Sequence, residues 1–296
     1  MILIAILIGT LVAGVGSVWL AAALSFGLLA RYTQHMLSLA AGALLATAFM
    51  HLLPEAFESQ ASPQELFSAL LAGLVFFFLL DKAELWHHSH EHGAGIEGHG
   101  HDHHHHGHTN DSERSAMPPR ASSAPISGDR GSASPQAREA TNMGAHRASG
   151  GWAVLAGDSV HCFGDGILIA SAFMADIKLG IVASLAVLAH EVPHHMGDLV
   201  VLRQSSNNNQ RIAVIKVSMA GAVTALGGVV GYFLVEQLYD FLPFFLVLAS
   251  SSFVYVALAD LIPQLQKRAA LAATALQIAW LLAGIALVTL ISGLAH

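Results

Sequence analysis

Two short stretches place ionisable side chains inside otherwise apolar sequence. One runs from Ala189 to Leu199 (AHEVPHHMGDL), and the other runs from Gly157 to Gly166 (GDSVHCFGDG). An ionisable group at membrane depth costs roughly 2.5 kcal/mol or more, so such groups persist where they line a cavity, pair, or bind an ion. The two stretches therefore predict a buried site that handles cations.

The spacing within each stretch indicates which side chains share a face. His190 and His194 are four residues apart, and so are His161 and Asp165, which on helices puts each pair on one face. Facing helices would then offer three imidazoles and one carboxylate, a ligand set that suits Zn²⁺ above other divalent ions. We predict this set as the primary metal site. Hydrogen bonds from each histidine to a neighbouring helix are the simpler alternative, but four paired ionisable residues on adjacent segments disfavour it.

The composition is that of a membrane protein. Of 296 residues, 54% are hydrophobic and 11% are charged, and the mean hydropathy is +0.57; soluble domains carry about 25% charged residues. The net charge is -7, and no basic stripe with interleaved aromatic residues indicates nucleic-acid binding. Cys162 is the only cysteine, which excludes an intrachain disulfide. No GxxxxGK[ST] loop suggests coupling to ATP.

Eight apolar segments are long enough to cross a bilayer. They cover about residues 2–28, 35–54, 64–86, 152–174, 178–202, 212–235, 241–263 and 270–294. The first could be a cleaved signal peptide, but it lacks a basic start and is too long, so we expect a true span. The fourth and fifth are joined by a very short turn and must be antiparallel neighbours. Pro193 predicts a kink in the fifth, and interrupted helices are typical of transporter ion sites.

We expect residues 1–86 and 151–296 to form one transmembrane domain together. Residues 87–150, which separate the third and fourth segments, are rich in Ser, Gly, Pro, Ala and His, and this composition predicts a disordered loop. Eleven histidines lie between His87 and His108. Four of them are consecutive: His103, His104, His105 and His106. The tract is internal and irregular, unlike an expression tag, and it predicts weak, exchangeable metal binding for buffering or sensing.

The distribution of basic residues predicts the orientation. If the amino terminus is outside, Lys178 alone among the 13 lysines and arginines is also outside. The positive-inside rule then places both termini outside and the histidine-rich loop in the cytoplasm. We expect the chain in a cell membrane, as in the inner membrane of a bacterium.

The two stretches resemble motifs of the ZIP (Zrt/Irt-like) family of divalent metal transporters. The family's fourth-span pattern, GDxxHNxxDG, is matched by Gly157, Asp158, His161, Asp165 and Gly166. The fifth-span pattern of the HExPHE branch, which this bacterial-type sequence most resembles, is matched by His190, Glu191, Pro193, His194, Gly197 and Asp198. The run HLLPEA from His51 to Ala56 is similar to the family's second span. Cys162 replaces the usual Asn, and His195 replaces the usual Glu.

The resemblance implies an all-α bundle of eight transmembrane helices. Spans one to three and six to eight would be an inverted repeat around spans four and five, giving a 3+2+3 arrangement that transports ions toward the cytoplasm by alternating access. No enzymatic activity or required cofactor is implied. The cargo is divalent metal, zinc in first place and Fe, Mn or Cd as alternatives, and the bilayer is the surrounding partner. Oligomeric state stays open, with a homodimer as one alternative.

A second family site would fall on Cys162 and Glu191, with Thr224 where some relatives carry a carboxylate. A Cys162 thiolate would soften that site toward Zn²⁺, Cd²⁺ or Cu⁺, and a small buried apolar role for this residue is an equal alternative. Further residues expected along the ion path are Asp158, His195, Asp198 and His51.

HEVPH also matches HExxH, the signature of zinc hydrolases in which Glu191 would activate water. In an intramembrane metalloprotease Asp165 could be the third ligand. Pro193 inside the motif and His161 in the coordination position that a catalytic zinc keeps open both disfavour this alternative. A membrane metal sensor that does not transport shares every ligand and stays open.

Overall fold

The computed structural model describes the backbone of residues 1–25, 33–92, 135–206, 208–265 and 271–294, and the side chains of these ranges except 25, 83–92, 135–154, 205 and 294. Within these ranges the regular elements are all helical, as the sequence predicted. They form eight helices, numbered α1 to α8 in chain order.

Three of the helices contain a π-helical segment. In α1, Ile2–Leu11 and Ser17–Ser25 are joined by the π-helical Val12–Gly16; in α2, Thr33–Thr47 and Leu53–Phe57 are joined by Ala48–Leu52. Helices α3 to α6 are α-helical throughout their described lengths: α3 is Pro63–His92, α4 is Pro135–Ala175, α5 is Ile177–Ser205 and α6 is Gln210–Gln237. After a 3-10 turn at Tyr239–Phe241, α7 joins Leu242–Tyr255 to Ile262–Leu265 through the π-helical Val256–Leu261, and α8 is Leu271–Leu294.

Seven of these helices, all but α4, are long and apolar enough in their described residues to cross a membrane. Their best windows have mean hydropathies from 1.2 in α5 to 2.3 in α1. In α5, 61% of that window is buried, against 11% in α3 and α8. The least apolar helix is thus largely buried, because its polar residues face protein, whereas most apolar side chains of α3 and α8 are exposed, as expected of helices that face lipid. The predicted fourth span lies within α4.

Most of the contacts between helices follow a symmetric pattern, although α5 also packs against α8 without an equivalent contact between α3 and α4 in the described residues. α1 packs against α5 and α6, α4 against α5 and α6, α2 against α5 and α8, and α7 against α3 and α4. Exchanging α1 with α6, α2 with α7, α3 with α8 and α4 with α5 leaves this set unchanged. The π-helical segments of α2 and α7 also occupy matching places, each followed by a proline, Pro54 or Pro263. This is the pattern expected of the 3+2+3 repeat, which stays a prediction.

Glycine permits close approach where α6 meets α1 and α4. A Cβ atom at Gly14 would collide with the carbonyl oxygen of Gly221, and a Cβ atom at Gly166 would collide with that of Thr224. Small residues at such points let helix backbones touch. The contacts fix α1 and α4 beside the same face of α6, and this placement brings the middle of α1 close to α5.

The membrane helices extend into the segment predicted as a disordered loop. Helical backbone continues to His92 in α3 and begins at Pro135 in α4, so 87–92 and 135–150 are helical. Pro135 suits the first position of a helix because its missing N–H would have no intrahelical acceptor there. The rest of the predicted loop, including His103 to His106, lies outside the described residues. α5 continues as helix through Pro193, and the predicted kink stays a prediction.

Candidate metal centre

A one-residue connection sets α4 and α5 side by side. Asp176 lies between them, and its Oδ1 accepts hydrogen bonds from the backbone N–H groups of Lys178 (2.8 Å) and Leu179 (3.2 Å) at the start of α5. A carboxylate in this N-cap position satisfies free N–H groups and favours the helix start. The short connection makes the helices antiparallel neighbours, and the two ionisable stretches face each other.

A first group of donors consists of His161, Asp165, His190 and Glu191, whose ligand atoms all lie within 4.8 Å of one another. Nε2 of His190 is 3.4 Å from Oδ2 of Asp165 and 3.2 Å from Oε1 of Glu191. Nε2 of His161 is 3.3 Å from the same Glu191 oxygen. Two imidazole nitrogens and two carboxylate oxygens can form a tetrahedral zinc site. The structure thus brings together three of the four residues predicted as the primary site, with Glu191 beside them.

A second group consists of Asp158, Cys162, Glu191 and His195, all of them buried. Nε2 of His195 is 3.0 Å from Oε2 of Glu191 and 3.6 Å from Oδ1 of Asp158. The Cys162 thiol donates to the same Asp158 oxygen at 3.7 Å. The two residues that depart from the motif pattern, Cys162 and His195, therefore belong to one group. Glu191 joins this group to the first, because one carboxylate oxygen faces each.

A third group consists of Asp158, His194 and Asp198. Nδ1 of His194 is 3.3 Å from Oδ2 of Asp198 and 3.7 Å from Oδ1 of Asp158. The His194 ring also stacks on the His161 ring, with centroids 5.6 Å apart and planes at 20°. His194, predicted as a primary ligand, is thus adjacent to the first group while its Nδ1 faces the third. Its side chain is 40% exposed, and that of His161 is 31% exposed.

Many polar atoms of the three groups have no hydrogen-bond partner among the described residues, because the contacts above lack hydrogen-bond geometry. They are Asp158 Oδ2, Asp165 Oδ2, His190 Nε2, Glu191 Oε1 and Oε2, His195 Nε2 and Asp198 Oδ2. A buried polar atom without a partner costs about 1–3 kcal/mol, and more when charged. Carboxylate and imidazole atoms concentrated in this way, at membrane depth, are suited to a divalent cation.

A cavity of about 560 Å³ reaches the groups from one end of the bundle. Its lining includes Asp158, His161, His190, His194 and Asp198, together with residues from the carboxyl-terminal parts of α3 and α7. Asp260 also lines it, and its Oδ1 accepts a hydrogen bond from Gln264 at 2.8 Å.

Apolar packing fills the region between the groups and the opposite end, where α4 turns into α5. Leu168, Phe173, Leu179, Ala183 and Leu246 all belong to one buried cluster there. The cavity therefore opens toward one end of the described bundle, and packed apolar side chains separate the donor groups from the turn between α4 and α5.

His51, in the π-helical segment of α2, is partly buried and lies in none of the three groups. Thr224, in α6, is buried beside Gly14 and Gly166, and its side chain forms a hydrogen bond with Cys162 of the second group. Ser17 was not predicted, but its hydroxyl contacts His195. No sequence signal identifies it, since it is one small polar residue in the first apolar run.

Comparison with known proteins gives the family. A family model described as ZIP zinc transporter matches residues 1–292. The chain belongs to the ZIP family. With its seven apolar helices, this ZIP chain is an all-α, multi-pass membrane protein, and the resemblance predicted from its motifs is confirmed.

Several zinc transporters are similar to this ZIP chain. It is 34% identical to zinc transporter SLC39A7 of Mus musculus over 304 residues, covering 88% of this chain and 63% of the relative. It is 30% identical to zinc transporter ZIP4 of Homo sapiens over 262 residues, or 79% and 39% of the two chains. Zinc transporter ZIP10 of Danio rerio is 33% identical over 118 residues, or 40% of this chain and 14% of the relative. The matched region spans less than two thirds of these relatives' own length.

Proposed function

We propose that this ZIP chain carries divalent transition-metal ions across a cell membrane toward the cytoplasm, with zinc as the principal cargo. The observation that carries the proposal is a set of three connected donor groups between α4 and α5, whose carboxylates are all buried and which a cavity reaches from one end. Fe²⁺, Mn²⁺ and Cd²⁺ use overlapping ligand types and are the alternative cargoes. The names of the similar zinc transporters support zinc.

The deep transport site is assigned to His161, Asp165 and His190, with Glu191 as the fourth donor in this conformation. Neutral imidazoles and carboxylates bind zinc without the multiple thiolates of a permanent structural site, so the ion can exchange. We assign Cys162 and Glu191 to the second site, together with Asp158 and His195, because the ligand atoms of these four residues lie close together. Because Glu191 belongs to both, an ion moving between the two sites keeps one ligand throughout.

The orientation follows from the basic residues of the described helices. Lys82, Arg203, Arg211 and Lys216 lie toward the end on which the cavity opens, and Lys178 lies toward the other. The positive-inside rule then makes the cavity cytoplasmic and both termini external, with α4 as the eighth span. In this assignment the ion sites are open to the inside, and the apolar cluster around Phe173 closes the outside. Alternating access requires that cluster to separate while the cavity closes.

The hydrolase alternative is disfavoured by the donors that surround His190. A catalytic zinc keeps one coordination position open for water. In the first group, by contrast, the ligand atoms of His161, Asp165, His190 and Glu191 all lie within 4.8 Å of one another, so protein donors can fill all four positions. Glu191 would have to activate water while it contacts three imidazoles at 3.0, 3.2 and 3.3 Å. Its position between two donor groups fits an ion path better.

Zinc uptake by proteoliposomes that contain the purified chain and an internal zinc-sensitive dye tests the proposal. We expect saturable uptake that is lost in His190→Ala and reduced in Glu191→Gln. The matched control is His35→Ala, which removes an imidazole of α2 that stacks on Trp280, outside the three groups. Failure of the folded wild-type protein to take up any metal contradicts transport, and stoichiometric zinc binding without uptake favours the sensor alternative.

A further inference from the structure

We propose that Asp158, His194 and Asp198 form a third metal site, from which the ion leaves for the cavity. The inference rests on the proposed transport function, since it extends the ion path beyond the two sites that the family resemblance implies. The third group lines the cavity, as His161 and His190 of the first group also do, whereas Cys162, Glu191 and His195 of the second group do not. An ion that leaves the second site past Asp158, the residue that it shares with the third group, therefore meets the third group before reaching solvent.

The geometry of the third group supports coordination. The two carboxylates approach His194 Nδ1 from different helices, Asp158 from α4 at 3.7 Å and Asp198 from the next turn of α5 at 3.3 Å. Asp158 is 4% exposed and Asp198 is 9% exposed, and each has an oxygen without a hydrogen-bond partner among the described residues. A carboxylate kept buried in a membrane span without a hydrogen bond to all its oxygens is destabilising unless a cation neutralises it.

The donor types suggest a weaker site than the two deeper ones. The first group offers four donors, three of them buried, and the second group includes the Cys162 sulfur. The third offers one imidazole and two carboxylates, and its exposed His194 faces a cavity wide enough for water to supply the remaining ligands. An ion path requires sites that bind well enough for entry and weakly enough for release. Fewer and harder ligands at the cavity are suited to release.

Shared carboxylates connect the three sites into one path. Glu191 belongs to the first and second groups, and Asp158 belongs to the second and third. An ion can therefore pass from each site to the next without losing all protein ligands at once. The four carboxylates, Asp158, Asp165, Glu191 and Asp198, would be neutralised by two divalent ions when the imidazoles are neutral. Occupancy of the deep and third sites together is consistent with that charge.

Equilibrium zinc binding to the full-length chain in lipid nanodiscs, with the eleven histidines of the tract from His87 to His108 replaced by Gln in every variant so that the weak class reports the transmembrane region, tests the third site with radioactive zinc over a range of free concentrations. We expect Asp198→Asn to lower the zinc affinity of the weakest class of sites by about tenfold or more, since even the loss of a residue that supports a metal ligand commonly has an effect of this size. The affinity of the tighter class should stay unchanged. Asp198→Glu should restore the weak class. The matched control is Asp260→Asn, which makes the same charge change in the same cavity but at a carboxylate held by Gln264.

Each outcome decides for or against the site. A wild-type isotherm for Asp198→Asn overturns the proposal, and so does an equal loss in Asp260→Asn, which would indicate a general field effect. If the weak class of zinc sites disappears only in Asp198→Asn but the wild-type chain moves no zinc into proteoliposomes, the proposal of a third site is supported and the proposal of transport is contradicted. If His190→Ala abolishes transport and Asp198→Asn changes neither binding nor uptake, transport stands and the third site fails.

Discussion

The hydroxyl oxygen of Ser17 in α1 lies 3.0 Å from Nδ1 of His195 in α5, and both residues are fully buried. The same hydroxyl donates its proton to the carbonyl oxygen of Gly14 at 2.6 Å. Its oxygen is therefore left to accept a hydrogen bond from Nδ1–H of His195. That contact selects the neutral tautomer whose free lone pair is on Nε2, the atom that faces Glu191 and Asp158.

Replacing Ser17 by Ala should weaken metal binding at the second group. Without the hydroxyl, nothing selects the Nε2 lone pair of His195, and the loss of such a supporting contact typically lowers metal affinity by about 10–100-fold. Cobalt titration measures this directly, because a Co²⁺–thiolate absorption band reports binding at Cys162. The matched control is Ser38→Ala, which removes a buried hydroxyl of α2 that bonds to the Gln34 carbonyl oxygen. Equal cobalt spectra for Ser17→Ala and wild type would contradict the positioning role.

Replacing Asp165 by Asn should separate stability from metal binding. The substitution keeps the side-chain volume but removes a buried negative charge, so the metal-free protein should be as stable as wild type or more stable. Zinc at 100 times its dissociation constant stabilises a one-site protein by about 2.7 kcal/mol, and the variant should lose most of that effect. Thermal unfolding in nanodiscs with and without zinc measures both quantities. A metal-free variant that unfolds far below wild type would make Asp165 a structural residue.

Exchanging Cys162 for Asn, the residue usual in the family pattern, should change metal preference. The Cys162 sulfur lies among the donors of the second group, and a thiolate favours soft ions. We expect the ratio of Cd²⁺ to Zn²⁺ uptake to fall in Cys162→Asn, whereas a change of packing alone would lower both rates together. Competition uptake with the two isotopes measures the ratio. An unchanged ratio would assign Cys162 to packing.

The i, i+4 spacings and the short turn after α4 were sufficient to predict that His161, Asp165 and His190 converge, because both signals are local. The position of His194 could not be predicted in the same way. It shares a face with His190 and Asp198, each four residues away, and the carboxylates of Asp198 and Asp158 determine which way its Nδ1 points. The Ser17–His195 contact joins residues 178 positions apart and depends on the packing of α1 against α5 and α6.

The extension of α3 and α4 beyond the apolar segments was not predicted either, since composition identifies where apolar residues end and does not identify where a helix ends. His92 and Pro135 now define the limits of the described helices, and the histidine tract from His99 to His108 lies between them. A deletion designed on these limits can remove the tract while it retains both helix ends.

Deleting residues 93–134 should leave zinc uptake by proteoliposomes largely intact, because the three donor groups and the cavity lie entirely outside that segment. Weak zinc binding in excess of the transmembrane sites should fall, since the deletion removes seven of the eleven histidines between His87 and His108. The control keeps the length of the segment and replaces its histidines by Gln, so that it loses the metal ligands without shortening the connection. If both variants insert normally and both lose uptake, the imidazoles themselves belong to the ion path. If only the deletion loses uptake, the length of the connection between α3 and α4 is what transport requires.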